Sequence, residues 1–265
     1  MMLSLMWRRD GGPGRTSFEE SMMKNFAIAA ALTLGLSGAA IAQDKDWSFG
    51  DGETHEHWGD IRAEYATCDA GSMQSPIDLT SPDARGDIKL ETRFGEASGK
   101  LALAKQKVQI DFTPGQGKGM TSGDKTFDLL QVHFHTPSEH AVNGKRYPMV
   151  AHFVHATQAG ELGVLGVFFT EGSENPAIDA LLKAHAKGNG AALSVNIDDM
   201  IPTDLDVYRY MGSLTTPPCS EGVNWHVADV SVEASAAQIA KLSGALGPSA
   251  RSIQPRNGRL LVAPE

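Results

Sequence analysis

Cysteine is almost absent from this 265-residue chain, and the two that occur, Cys68 and Cys219, allow at most one disulfide. Aromatic residues are sparse at 7%, yet a hydrophobic content of 41% suffices for a sizeable core, which excludes a disordered chain. Positive charge is also short. With 23 Lys+Arg against 32 Asp+Glu the formal charge is −9, so a general nucleic-acid binder, which must neutralise phosphates, is excluded. No internal repeat, low-complexity tract, coiled-coil heptad or interdomain linker is apparent. The length allows one or two domains, and all-β folds often use such a length as one.

Long apolar runs are missing too, except near the start. From Met23 the chain reads MKNFAIAAALTLGLSGAAIAQ, one Lys followed by an Ala/Leu-rich stretch ending in the small-x-small triplet Ala40-Ile41-Ala42. This pattern predicts a secretory signal peptide over 23–42, cut before Gln43. Phe26 to Ala42 is at the short limit of a membrane span and contains Ser and two Gly, so an anchor is the weaker reading and the protein is expected not to be transmembrane. Residues 1–22 carry no periodic apolar pattern and read as an extension upstream of a true start at Met22 or Met23. The domain is then 43–265. Setting aside the four basic and three acidic residues of 1–42 leaves it 19 basic against 29 acidic residues, net −10. Export to the periplasm or the exterior would let Cys68 and Cys219 pair, the alternative being two buried free thiols.

The mature part reads mostly as strands. Short alternating segments recur at Lys100–Leu103, Val108–Phe112, Phe127–His135, Met149–His155, Leu162–Phe169 and Trp225–Val230, separated by Gly, Pro and Asp. In VQIDF the alternation places Val108, Ile110 and Phe112 on one side. In LLQVHFHT it places Leu129, Gln131, His133 and His135 on one face, with Leu130, Val132 and Phe134 on the other. A face carrying Gln and two His beside an apolar one suggests a pocket with the core behind it. Two helices are expected: Asn175 to Ala186, with Pro176 in its first turn and a Gly188 stop, and Ser235 to Leu242, capped by Ser235 and ending near Gly244.

Five of the nine histidines fall within 23 residues, at 133, 135, 140, 152 and 155. His133 and His135, two apart on one strand, project to the same face, as two imidazoles must to converge on one ion. A turn at 141–145 would return the next strand antiparallel, placing His152 beside them as a third ligand. Three neutral imidazoles with an open fourth position describe a catalytic zinc site. The spacing His133-x-His135-x-x-x-Glu139 also resembles the first cupin motif, but the Pro-x-Gly stretch leading into a second half is absent around His152.

Across about Trp47 to Arg259 the chain resembles the α-class carbonic anhydrases. The resemblance rests on HEHWGD at 55–60, QSPIDL at 74–79, QVHFHTPSEH at 131–140, AHFVH at 151–155, GVLGVFF at 163–169 and SLTTPPCSEGVNW at 213–225. It implies a single mainly-β domain, a large twisted, mostly antiparallel ten-stranded sheet with short surface helices. One zinc ion is implied on His133, His135 and His152 at the bottom of a conical cleft. The implied activity is reversible hydration of carbon dioxide by water to bicarbonate and a proton; the alternative is a non-catalytic zinc-binding relative. By the same resemblance, Thr215 bonds the water made acidic by the metal and passes its own proton to Glu139, while Thr216 lines the bicarbonate site. Val154, Val164, Leu214, Val223 and Trp225 form the carbon dioxide pocket, Gln131 accepts from a ligand imidazole, and His140 braces the Glu139 region. Cys68 and Cys219 match a disulfide of bacterial and some extracellular members. A monomer or homodimer is implied.

The chain departs from the family pattern in three places. Val150 stands where a Glu usually accepts a hydrogen bond from the third ligand. Gln106 stands at the position of the proton-shuttle His and cannot titrate near neutrality, leaving His55 and His57 as candidate substitutes. Phe49 replaces a Tyr near the cleft.

Overall fold

Alternating Val, Ile and Phe with charged residues between them give a backbone that pairs laterally, and here the paired strands fall between Ala84 and Ala263. The computed structural model describes residues 47–49, 57–113 and 115–265, all within one unit, Asp44–Glu265. The expected extension 1–22 and signal peptide 23–42, and His55, lie outside the described residues. A thirteen-stranded sheet has a continuous path of ten strands. In order across the sheet these are Ala84–Arg85, Val262–Ala263, Val207–Ser213, Glu221–Ala228, Leu162–Glu171, Met149–Ala156, Lys125–His135, Lys107–Phe112, Glu96–Ala104 and Ala192–Asn196. Most pairs are antiparallel, but Leu162–Glu171 runs parallel to both Glu221–Ala228 and Val232–Ala234, which makes the sheet mixed. The sixth expected strand is displaced: it begins at Glu221 and ends at Ala228, short of Val230.

The two faces have different partners. On one, Ile110, Val132, Phe134, Phe153 and Leu165 pack against Ile178 and Leu181 of the helix Pro176–His185 and Ile239, Leu242 and Leu246 of the helix Ala236–Leu246. On the other, Val150, Val154, Val164, Phe168, Val223 and Trp225 form a second cluster. A third joins Phe49 and Trp58 to the disulfide Cys68–Cys219, whose Cα atoms are 5.0 Å apart.

Both helices begin where their caps place them. The Asn175 side chain accepts from the amides of Ala177 and Ile178, and Ser235 and Gln238 form a reciprocal capping box. The second helix, however, passes through Gly244 and stops at Gly247, whose φ is +64°. An interior Gly costs about 1 kcal/mol relative to Ala, whereas continuing the helix buries Leu246, worth about 2 kcal/mol. Burial wins.

The simple alternation expected for LLQVHFHT also fails at one residue. The register with Met149–Ala156 shifts between Leu129 and Gln131, where Leu129 pairs with His155 and Gln131 with Val154. This bulge at Leu130 resets the phase. Leu129 therefore joins Phe127, Val132 and Phe134 in the core, while Gln131, His133 and His135 keep their common face.

Candidate active site

The sheet register assembles the histidines. His133 pairs directly with His152 on the antiparallel neighbour, and His135 lies one alternation along the same face. Ring centroids are 4.9 Å apart for His133 and His135, 5.2 Å for His133 and His152, and 4.8 Å for His135 and His152. One potential ligand nitrogen of each lies within 4.8 Å of the others.

Each imidazole has its own surroundings. His133 Nδ1 donates to Gln131 Oε1 at 2.8 Å, and His135 Nδ1 donates to the Ser249 carbonyl at 2.5 Å, so both present Nε2 outward as a lone pair. His152 Nδ1 lies 3.7 Å from Glu139 Oε2, near His135 Nε2, which is 3.4 Å from the same oxygen. The Nε2 atoms of His135 and His152 are buried and lack hydrogen-bond partners. Burial holds the pKa values of His133 and His152 well below the usual range, followed by the charge of His135. Both are thus neutral at pH 7 and free to coordinate. An all-nitrogen donor set, with His135 Nε2 partnerless and His152 Nδ1 turned to the same side, fits a zinc-type metal and not an oxygen-seeking calcium or magnesium ion.

Glu139 is fully buried beside this cluster. Burial raises its pKa; the charge of His135, the Thr215 hydroxyl, and the Arg251 amide and cation pull it back. Its Oε1 accepts from the Arg251 backbone amide at 3.0 Å. His140 is also buried and bonds the Tyr210 hydroxyl at 2.7 Å through Nε2. Desolvation lowers its pKa to about 3, so it stays neutral.

A cleft of about 300 Å³ opens onto the three histidines. Its walls carry Val154, Val164, Leu214 and Trp225 with Thr215 and Thr216 on one side, and Gln106, Lys107 and Gln109 on another. Gln131 lines it as well. Val223 does not line the cleft; it is buried behind the wall, in the second cluster with Val154, Val164 and Trp225. Gln106 occupies the two-residue turn between the strands Glu96–Ala104 and Lys107–Phe112, at φ +55°, and its Nε2 donates to the Pro248 carbonyl at 2.6 Å. Trp47 and Phe49 complete the rim, with Phe49 edge-on to His135 at 5.8 Å. His57 is exposed and does not line the cleft. Among the described residues no helix is long and apolar enough to cross a membrane.

Sequence reasoning missed the contributions of Ser249 and Arg251. Both act here through backbone atoms, which leave no side-chain signature in the sequence.

Comparison with known proteins agrees with this geometry. Residues 53–263 match the family model for eukaryotic-type carbonic anhydrase. A carbonic anhydrase of Nostoc sp. is 36% identical over 246 residues, covering 89% of this chain and 92% of the relative. Among solved structures, the α-carbonic anhydrase of Photobacterium profundum superposes with a TM-score of 0.72 at 41% identity, over 78% of this chain and 94% of that one. The Thermovibrio ammonificans enzyme, solved with the inhibitor sulfanilamide, gives 0.73 at 37% identity over 78% and 93%. With its buried histidine triad and this matched length, the chain belongs to the α-class carbonic anhydrases, enzymes of zinc-dependent carbon dioxide hydration.

Proposed function

We propose that His133, His135 and His152 hold one zinc ion per chain and that Glu139 and Thr215 orient the water that attacks carbon dioxide. The observation carrying this reading is the triad itself, with one nitrogen of each ring gathered within 4.8 Å of the others and two of its three rings locked by Nδ1 hydrogen bonds. When bound, zinc brings the pKa of water near 7 and so supplies a nucleophile at neutral pH.

The protein's own residues do the rest. Glu139, acting as the acceptor, draws the Thr215 proton toward itself. The Thr215 oxygen then accepts a hydrogen bond from the attacking water and directs a lone pair at the substrate. Val154, Val164, Leu214 and Trp225, backed by Val223, provide an apolar wall for a small, poorly hydrated substrate, and Thr216 lines the place where bicarbonate forms. Gln131 holds the His133 tautomer, and His140 with Tyr210 braces the wall behind Glu139. Gln106 sits at the cleft without a titratable group, so the proton leaves through external buffer.

The disulfide is consistent with an extracytoplasmic site. We place the enzyme in the periplasm or outside the cell, as residues 43–265 released from the signal 23–42, with 1–22 an upstream extension. The reading takes a monomer or homodimer, with carbon dioxide, bicarbonate and water as its only reaction partners and no nucleic acid. Stopped-flow carbon dioxide hydration by metal-quantified protein tests the proposal. One zinc per chain with turnover that falls about 10- to 100-fold in T215A supports it, whereas zinc-loaded protein without turnover would make the chain a binding relative.

A further inference from the structure

Arg251 is a large charged side chain with 1% of its surface exposed, in a segment that belongs to no strand or helix. Its guanidinium is fully engaged on one side. Nη1 donates to Gln74 Oε1 at 2.9 Å and to the Ser75 carbonyl at 2.8 Å, Nη2 donates to the Cys68 carbonyl at 2.7 Å, and the group lies over the Trp58 ring at 5.2 Å. Gln74 in turn donates from Nε2 to the carbonyl of Cys219, the other half of the disulfide. On the opposite side, the backbone of the same segment touches the reaction centre twice. The Arg251 amide holds Glu139 Oε1, and the Ser249 carbonyl holds His135 Nδ1.

The guanidinium contacts and the contact to Glu139 meet at one Cα, that of Arg251. The Arg251 amide has no ladder partner; its hydrogen bond is spent on Glu139. The side chain helps to keep that amide in place, together with Arg146, which donates to the Arg251 carbonyl at 2.9 Å, and Ser249, whose amide donates to the Thr136 carbonyl at 3.0 Å. An amide fixing one carboxylate oxygen also fixes the direction of the other, and displacements near 1 Å in such supports can cost about 100-fold in rate. Resting on the role given above to Glu139, we propose that Arg251 is a positioning residue for carbon dioxide hydration. Its guanidinium, seated on the Cys68 and Ser75 carbonyls and Gln74, sets where its own amide holds Glu139.

A double-mutant cycle separates this from a merely structural role. Stopped-flow hydration is measured on zinc-loaded wild type, R251K, E139Q and the double variant, with thermal unfolding and zinc content recorded for each. Lysine keeps the charge but puts its donors on one nitrogen, in place of the planar fork whose Nη1 and Nη2 reach separate acceptors. E139Q is expected to lower kcat by about 10- to 100-fold. R251K should lower kcat by about 10-fold in the wild-type background and by less than about 2-fold in E139Q, with KM little changed. Equal losses in the two backgrounds would overturn the inference while leaving the role of Glu139 intact. An E139Q enzyme with unchanged kcat would overturn that role and this proposal with it. Should R251K fail to fold, Q74A keeps the arginine and removes one of its acceptors; a kcat loss in the wild-type background that disappears in E139Q is expected, and an equal loss in both overturns the proposal.

Discussion

Val150 and His152 stand two residues apart on the same face of one strand, both buried, and the valine offers no acceptor to the partnerless Nε2 of the imidazole. Gln131 and the Ser249 carbonyl restrain the other two ligands, so His152 is the least restrained of the three. A carboxylate at position 150 would supply what is missing. In V150E, zinc dissociation measured by chelator competition should slow by about 10- to 100-fold. Unchanged kinetics would mean that ring orientation is already set by packing against Trp225, 4.9 Å away.

The turn carrying Gln106 offers a second test. Its positive φ is one that His tolerates better than most side chains, so Q106H should fold without new strain and place a titratable ring at the cleft. In dilute buffer at saturating carbon dioxide, kcat should rise several-fold, and imidazole added to the wild type should do the same. If neither raises turnover, proton transfer is not limiting.

Removing the Cys68–Cys219 bond should act on stability first. The bridge spans 151 residues, for which chain entropy gives about 5 kcal/mol, an upper figure that native-state relaxation reduces. The C68A/C219A variant should lose about 3 to 5 kcal/mol of unfolding free energy in urea titrations. A loss below about 1 kcal/mol would show that the Trp47, Phe49 and Trp58 cluster holds this region unaided.

His155 predicts a pH dependence with a definite sign. It is buried against Phe94, and desolvation lowers its pKa to about 3, against an ordinary value of 6.5. Between those values the unfolded chain binds a proton that the folded chain does not, so stability is fully present above pH 6.5 and is lost as pH falls toward 3. The slope is about 1.4 kcal/mol per pH unit for this one group. In H155L, the decline from pH 6.5 to 5 should be shallower than in wild type by about 2 kcal/mol. Equal declines would mean that His155 is protonated in the fold.

Side-chain chemistry at fixed strand spacing was legible from the sequence. The period of two put His133 and His135 on one face, the intervening turn brought His152 back beside them, and Asn175 and Ser235 announced the helix starts, because these are local consequences of backbone geometry. Motif resemblance supplied the reaction and the cysteine pairing. What escaped was decided by contacts distant in sequence. The bulge at Leu130 moved Leu129 into the core to keep the apolar faces matched, and burial of Leu246 carried a helix past Gly244. The parallel seam between Leu162–Glu171 and Glu221–Ala228 follows from the order of strands across the sheet. The amide of Arg251 reaches Glu139 across 112 residues. A backbone N–H is present at nearly every position, so only the tertiary structure could single out the one that holds the buried carboxylate.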